Sequence, residues 1–435
     1  MRSKLFIFFI LFLLLLPAVI SADDSPANLS LAQCIKTVLA RNPGVYKAKS
    51  GLAEQEAKLS SARKNLFPSL GAQYNYLHQP EAFYGAPQDQ FSYGLVVEQP
   101  IYHGKALVTT VKQHKLALGS AESTLEQTIN DTAYAVYDAY FRVLRNVKIE
   151  DEARLSVNRL NSHYDDATAF FEAGLIPKND LLQSEVELAQ GKQNLLRAEN
   201  QSSLARARLN ILLGNPVEYN LSLVDILNCK VTKINWDDIL DQARQHRPEL
   251  VKAELAVKQA KNDIIISQAP YLPAVDLSAS YMKIGDEPGA SRYPDGPSEF
   301  KQAQLTATWK LWTWGQGHDE VLAARQRLIM AEKEADRILD QITIEVREAF
   351  LYVEEAEQKI KVTKKAVAAA RENYRINQDR YQSQVSTSTD VLDAETLLSE
   401  AMKNYYNALY GYNLANAAVK RASGVLGQEY IPAEN

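Results

Sequence analysis

The chain has 435 residues, of which 48 are lysine or arginine and 53 aspartate or glutamate, giving a formal net charge of −5 at pH 7. This acidic balance argues against general nucleic-acid binding, which depends on basic surface. The only two cysteines in the sequence are Cys34 and Cys229, and neither has a metal-ligand companion. Two separate buried thiols are the simpler interpretation, and a disulfide between them stays open.

Residues 1–22 have the layout of a secretory signal peptide. Two basic residues precede an apolar run from Leu5 to Leu16, and the segment ends at the small residue Ala22. We expect the mature chain to begin near Asp23, with 46 basic against 53 acidic residues and a net charge of −7. No later stretch is apolar for 18 residues or more, so any membrane span of the mature chain must be built from strands.

Local patterns from the first half of the chain return in the second half. Arg41-Asn42-Pro43 returns as His246-Arg247-Pro248, at an offset of 205 residues. Gly214 returns as Gly424, at an offset of 210. A period this long is not a solenoid unit, so it indicates one duplicated half-protein. The predicted organisation is a signal peptide (1–22), a first repeat (23–214), a linker (215–235), a second repeat (236–424) and a C-terminal tail (425–435).

Four short segments alternate apolar and polar residues with a period of two, which is typical of strands with two different faces. In the first, apolar residues occupy every second position from Leu70 to Tyr76. The predicted strands are about 66–77, 91–102, 271–282 and 301–312. Their length suits tilted strands that span a bilayer. A soluble antiparallel sheet with one face on a core gives the same alternation, so the strands alone leave both interpretations open.

Ala-rich segments poor in glycine and proline lie between and around these strands and predict helices. Their bounds are roughly 31–65, 105–171, 180–213, 236–269, 315–382 and 387–423. Two of them are about twice as long as the others, and each would extend about 100 Å. In the longest, small and apolar residues from Leu339 to Tyr374 follow the spacing of a coiled-coil seam. The molecule must therefore be a rod or a tube.

Four strands cannot close a membrane barrel, because the smallest ones have about eight. Open strand edges are not tolerated in lipid. The chain must therefore oligomerise if its strands enter a membrane, with two copies giving eight strands and three giving twelve.

Several short signatures occupy corresponding places in this duplicated layout. They are Leu66-Phe67-Pro68, Gln99-Pro100-Ile101-Tyr102-His103-Gly104-Lys105, Ala173-Gly174-Leu175 and Thr389-Asp390-Val391-Leu392-Asp393-Ala394-Glu395. Together they make the mature chain resemble the TolC-type outer-membrane efflux protein family. The resemblance implies a mixed, mainly α fold: a homotrimer whose four strands per chain close a 12-stranded transmembrane β-barrel, joined to a long coiled-coil α-helical barrel.

The resemblance also implies a function and partners. Relatives lie in the outer membrane of Gram-negative-type cells, with a large periplasmic part. They form the exit duct of tripartite efflux or type I secretion systems, and a periplasmic adaptor and an inner-membrane transporter open their periplasmic tip.

The resemblance places four residues at this periplasmic gate. Asp390 and Asp393 occupy positions that form rings of acidic side chains at the constriction, where a carboxylate ring would favour cations. Asp180 and Tyr381 match positions that link neighbouring hairpins in the closed state. Ser386 departs from the pattern of one relative, which has an arginine there, and this puts the closed-state linkage in doubt.

Helix capping is the alternative role for these acidic residues. Asp390 with Asp393, and Asp180 with Gln183, have the three-residue spacing of helix N-cap signals. Both hairpins need a cap, so capping and gating are compatible.

The sequence contains no pattern for catalysis, for cofactor binding or for metal ligation. Its six histidines are scattered without metal-ligand spacing, and it has no P-loop, dinucleotide fingerprint or HExxH motif. We therefore expect a passive duct and no enzyme. The alternative is a periplasmic adaptor or a structural coiled-coil protein of the cell envelope; an adaptor would carry a single hairpin, and a coiled-coil protein would lack amphipathic strands.

Overall fold

The computed structural model describes residues 28–80, 87–226, 235–290 and 298–430. The predicted signal peptide, Cys229 and part of the predicted linker lie outside these ranges.

The described chain is mainly helical, as the sequence predicts. Its helices are α1 (Leu31–Arg41), α2 (Pro43–Lys64), α3 (Ala106–Glu172), α4 (Lys178–Leu213), α5 (Trp236–His246), α6 (Pro248–Gln268), α7 (Gln316–Gln382) and α8 (Ser388–Ala422). Its strands are β1 (Asn28–Leu29), β2 (Ser69–His78), β3 (Asp89–His103), β4 (Ser222–Leu223), β5 (Ala274–Gly285) and β6 (Glu299–Thr308). Short 3-10 helices cover Ala269–Tyr271 and Gln428–Tyr430.

Two segments that the sequence predicts as single helices are each divided by one extended residue. Asn42 separates α1 from α2, and Arg247 separates α5 from α6. A proline forces the residue before it out of the helical region, but it fits the first position of a new helix. The second helix of each pair therefore starts at a proline, Pro43 or Pro248.

Four strands form one antiparallel sheet in the order β2–β3–β5–β6. One row across the sheet contains Leu70, Val97, Ala279 and Ala303, and the next row contains Ser69, Glu98, Ser278 and Gln304. Successive rows point to opposite faces, so the sheet has an apolar face and a polar face. The apolar face is uncovered within the chain, since Leu70 is 71% exposed and Leu305 67% exposed.

The last strand of this sheet is shorter than predicted. β6 ends at Thr308, whereas the predicted strand continues to 312. Thr308 pairs with Ala274, the first residue of β5, and the preceding Pro273 has no N–H to offer a sheet. The residues after Thr308 therefore have no strand partner in their own chain, and Trp312 is 75% exposed.

Strands and helices are arranged as one continuous layer. α2 leads into β2, β3 leads into α3, α6 leads into β5, and β6 leads into α7. The helices next to the sheet pack in the matching order α2–α3–α6–α7, and those at the other end pack in the order α4–α3–α8–α7. Both α3 and α7 have 67 residues, so each extends about 100 Å.

A belt of additional elements packs on the middle of this layer. α1 buries Ile35 and Val38 against Val136 and Tyr140 of α3. α5 packs in a similar way on α7 and α8. Cys34 is in the first of these cores and has no disulfide partner among the described residues; burial raises the pKa of its thiol to about 11. The belt, which consists of α1 and α5, therefore contacts both helical hairpins near the middle of the long helices α3 and α7.

Candidate channel tip

The hairpins α3–α4 and α7–α8 end in two turns of the same geometry. Gly174 has a φ of 72° in the first turn and Gln384 a φ of 59° in the second. In the first, the N–H groups of Gly174 and Leu175 donate to carbonyls three and five residues earlier, and Gln384 and Val385 do the same in the second. This is the Schellman pattern that ends a helix at a left-handed residue.

The two hairpin ends pack against each other through Tyr381. Its ring is buried, 4.8 Å from the ring of His163 and 5.5 Å from that of Phe170 on the other hairpin. Val391 and Leu398 of α8 complete the cluster. The predicted gate residue Tyr381 is therefore a packing element within its own chain, and burial raises the pKa of its hydroxyl.

A buried polar contact joins the hairpins beside Tyr381. His163 Nε2 lies 2.8 Å from Ser388 Oγ, which is 3.1 Å from Ser184 Oγ. Burial lowers the pKa of His163, opposed by the nearby Asp166. The imidazole is therefore neutral at neutral pH, and the contact brings together α3, α4 and α8.

A second polar network lies two turns above this contact. Arg159 Nη2 donates to Glu152 Oε1 at 2.6 Å and to Glu395 Oε1 at 3.1 Å, and Ser156 Oγ donates to the same Glu395 oxygen at 2.7 Å. Both carboxylates are buried. Burial raises the pKa of Glu395, although the hydrogen bonds and the charge of Arg159 oppose this. One arginine thus joins α3 to α8.

Asp390 combines a cap with an exposed charge. Its Oδ2 accepts hydrogen bonds from the Thr387 N–H at 2.9 Å and the Thr387 hydroxyl at 2.8 Å, while the Asp390 N–H donates back to Thr387 Oγ1. These hydrogen bonds hold the pKa of Asp390 below its usual range. The alternative capping pair of Asp390 with Asp393 is wrong, because the helix N-cap is Thr387 and Asp390 is its partner at the third helical position.

The other predicted acidic residues do not cap helices. Asp393 is exposed one turn further along α8. Asp180 is half-buried in the first turn of α4, where the N-cap position belongs to Pro177 and makes no side-chain cap hydrogen bond. Capping by Asp180 with Gln183 is therefore wrong. Gln183 instead accepts a hydrogen bond at 3.2 Å from Thr389 of the other hairpin.

A groove of about 610 Å³ opens above the tip between α3, α4 and α8. Its lining is rich in polar side chains and includes Glu152 and Glu395 of the second network. The carboxylates that hold the hairpins together therefore border a water-accessible space.

The described residues contain no group of three or more His, Cys, Asp or Glu side chains placed to hold a metal ion. Within the same part of the chain, every helix is too short or too polar to cross a membrane.

Sequence reasoning missed the polar contacts that join the hairpins. His163 and Ser388 are far apart in sequence, and neither belongs to a recognisable motif. The one available signal was positional: His163 has the buried Leu160 and Ala167 as helix neighbours, and Ser184 has Leu188, so a polar side chain there needs a partner.

Comparison with known proteins identifies the fold and the family. A family model described as "Outer membrane efflux protein" matches residues 34–215 and 239–425, which is most of the chain. The chain belongs to this family. Outer membrane protein TolC of Escherichia coli is 24% identical over 418 residues, covering 93% of this chain and 84% of TolC.

Two further relatives extend the comparison. Alkaline protease secretion protein AprF of Pseudomonas aeruginosa is 22% identical over 347 residues, covering 78% of this chain and 71% of AprF. The outer membrane channel CmeC of Campylobacter jejuni has the same fold, with a TM-score of 0.82 at 18% identity over 93% of this chain and 87% of that one. This outer membrane efflux protein thus belongs to the outer membrane, with a large periplasmic part.

Proposed function

We propose that three copies of this outer membrane efflux protein form one continuous duct, a 12-stranded β-barrel above an α-helical tunnel. The observation that carries the proposal is the sheet with two free edges and an uncovered apolar face. Every residue of the edge strands β2 and β6 is exposed. Edges and apolar surface of this kind are stable in lipid only when neighbouring copies pair and close the barrel.

The internal duplication supports a specific pairing between copies. The offset of 205 relates β2 to β5, and the offset of 210 relates β3 to β6. Within the chain, β3 pairs with β5 so that Val97 faces Ala279. The same pairing between copies would place Ala307 of β6 opposite Tyr74 of the neighbouring copy. It would also give Trp309 and the residues after it the strand partner that they lack within one chain.

The duplication also underlies the proposed domain organisation, with the first repeat at 23–214 and the second at 236–424. Residues that share a geometry lie 210 apart, as Gly174 and Gln384 do at the hairpin turns. Gly214 and Gly424, which follow α4 and α8, repeat this relation with φ of 77° and 80°. One half-protein used twice gives six similar hairpins around a three-fold axis.

The hairpin ends then form the periplasmic gate. Asp390 and Asp393 are exposed on α8, so a trimer would present two rings of three carboxylates. Asp180 and Tyr381 lie at the junction of the two hairpins, where burial and the Asp180 charge both raise the pKa of Tyr381. A periplasmic adaptor and an inner-membrane transporter supply the energy that separates the hairpins, and the duct itself is passive.

The name of AprF connects that relative with protease secretion, and the chain spans 71% of it.

The test is single-channel recording in planar bilayers, with the mass of the detergent-extracted complex measured on the same preparation. We expect trimers with small, cation-selective conductance. Replacing both acids (Asp390→Asn with Asp393→Asn) keeps an acceptor for the Thr387 cap and removes the charge, so cation selectivity should fall.

Two variants serve as controls. Asp336→Asn with Asp340→Asn changes two exposed carboxylates of α7 outside the tip and should leave selectivity unchanged. Thr387→Ala removes the cap partner but keeps the Asp390 charge, so selectivity should persist. A monomer without conductance would refute the channel, and selectivity unchanged by the double Asn variant would remove Asp390 and Asp393 from the constriction.

A further inference from the structure

A basic groove lies between α3 and α6, near the end of the molecule that carries the sheet. It has a volume of about 630 Å³ and is bordered by four lysines, Lys112, Lys115, Lys258 and Lys261. Its floor is apolar and includes Leu255. The two helices approach closely there, since a Cβ added at Gly119 would lie 3.3 Å from Leu255 Cδ1.

The charge of this groove is opposite to that of the chain. All four lysines are exposed. Of these four lysines, only Lys258 forms an ion pair with a described residue: its Nζ lies 3.7 Å from Glu254 Oε2. One acidic residue, Glu122, lines the groove. Four lysines against two carboxylates, Glu122 and Glu254, make a local positive patch on a protein whose net charge is −5.

The groove lies at the depth of the lipid headgroups. Lys112 comes six residues after the start of α3, and Lys261 seven residues before the end of α6. At 1.5 Å per residue, the four lysines lie about 9–15 Å along the helices from their sheet-side ends. Because the sheet lies in the outer membrane, long lysine side chains at this height reach the phosphates of the periplasmic leaflet.

The groove faces outward in the proposed tunnel. Lys115, Glu122, Asn130 and Tyr140 lie on one face of α3. Their separations are sums of three and four residues, and such separations keep side chains on the same side of a helix. Tyr140 packs under α1, and Asn130 accepts a hydrogen bond from the Gly427 N–H at 3.1 Å. This belt lies outside the tunnel, because on the inner face it would fill the lumen. α3 and α6 are also the two inner helices of their layer, away from the edges where copies meet.

We propose that this groove binds an anionic phospholipid of the periplasmic leaflet. The lipid phosphate lies among the four lysines, and its acyl chains extend from there toward the sheet. Lysines near a membrane surface attract anionic headgroups. The inference rests on the proposed function, since that sets the depth and the outward face of the groove.

The test uses detergent-solubilised full-length trimers and two fluorescent lipids with identical chains, phosphatidylglycerol and phosphatidylcholine. We expect tighter binding of phosphatidylglycerol. The quadruple variant Lys112→Gln, Lys115→Gln, Lys258→Gln and Lys261→Gln should weaken it by about tenfold or more. The matched control changes four exposed lysines of α7, Lys333→Gln, Lys359→Gln, Lys364→Gln and Lys365→Gln, and should change it less than about twofold.

A salt series on the unmodified protein tests the same point without a variant, because high salt should abolish the preference for the anionic lipid. Equal binding of the two lipids, or unchanged binding by the quadruple variant, would overturn the proposal. Displacement of the lipid by inorganic phosphate at equal concentration would also overturn it, since this indicates a free-anion site. Conductance and the mass of the complex are measured on the same preparation. Trimers that conduct but show no preference for the anionic lipid would refute this inference alone. Absence of trimers would refute the proposed function.

Discussion

Gln384 has a backbone conformation that favours glycine. Its φ of 59° lies in the left-handed region, and the equivalent residue of the other hairpin turn is Gly174. A side chain in this region costs about 1 kcal/mol, so the turn of α7–α8 carries strain that the turn of α3–α4 avoids.

We expect Gln384→Gly to stabilise the protein by about 0.5–1 kcal/mol per chain, because glycine relieves this strain. The measurement is the midpoint of denaturant unfolding. Gly174→Ala is the matched opposite change, and it should lower stability by about 1 kcal/mol, since no neighbouring atom lies within 4 Å of the added Cβ and only the φ of 72° opposes it. Destabilisation by Gln384→Gly would show that the glutamine side chain has a structural role at the tip.

His163 makes the hairpin contact sensitive to acid. Its burial lowers its pKa below the ordinary value of about 6.5. As the pH falls through that value, His163 binds a proton when the hairpins are separated but not when they are packed. Acid therefore lowers the stability of the packed tip, and above neutral pH His163 no longer changes this stability. We expect backbone amides near Ser388 to exchange hydrogen faster at pH 5 than at pH 7, after correction for the intrinsic rate.

His163→Gln should remove this acid sensitivity, because an amide can bond Ser388 but does not titrate in this range. The control is His318→Gln, which changes an exposed histidine at the start of α7 and should leave the acid response intact. An equal acid response in His163→Gln would assign the effect to another group.

A partly buried arginine bridges two buried carboxylates between the two hairpins. Arg159 satisfies Glu152 and Glu395, and these two carboxylates are among the few buried acids of the described chain. Removing one partner of such a network leaves a buried charge without compensation, which costs more than the intact network contributes.

We expect Arg159→Met to destabilise the protein by about 3 kcal/mol and to separate α3 from α8 first. The readout is the denaturant midpoint, together with hydrogen exchange around Glu395. Adding Glu395→Gln should restore part of the loss. The control Arg154→Met removes surface ion pairs with Glu150 and Glu199 and should cost less than about 1 kcal/mol. Equal losses for Arg159 and Arg154 would exclude a role for burial.

The sequence predicts the elements better than the contacts between them. Periodicity marks the long helices, since α3 spans Ala106–Glu172 where 105–171 is predicted. It misjudges the end of β6, because alternation continues past Thr308 while the strand partner within the chain does not. It also leaves out His163, because hydrogen bonds between residues more than 200 positions apart have no local signature. The end of β6 and the hydrogen bond of His163 depend on residues from distant parts of the chain or from other copies.

The proposed barrel can be tested by a disulfide between copies. In a background without Cys34 and Cys229, we expect Ala307→Cys with Tyr74→Cys to give covalent trimers on oxidation, because directly opposite residues in an antiparallel pair have Cβ atoms about 5 Å apart. The measurement is a non-reducing denaturing gel.

The out-of-register control is Ala307→Cys with Tyr76→Cys, where the shift of two residues places the Cβ atoms about 7 Å apart. It should crosslink poorly. Crosslinking of this control in preference to the first pair would refute the proposed register, and monomers from both would refute pairing between copies.

The central ladder of the sheet joins strands from the two halves of the chain. Val97 pairs with Ala279, whereas β2 with β3 and β5 with β6 are local hairpins. Contacts between residues so far apart form late in folding and slow it. During secretion, the first hairpin therefore waits with the edge of β3 unpaired until the second half has arrived. We expect slower translocation of the second half to lengthen the time for which this edge can pair with another chain.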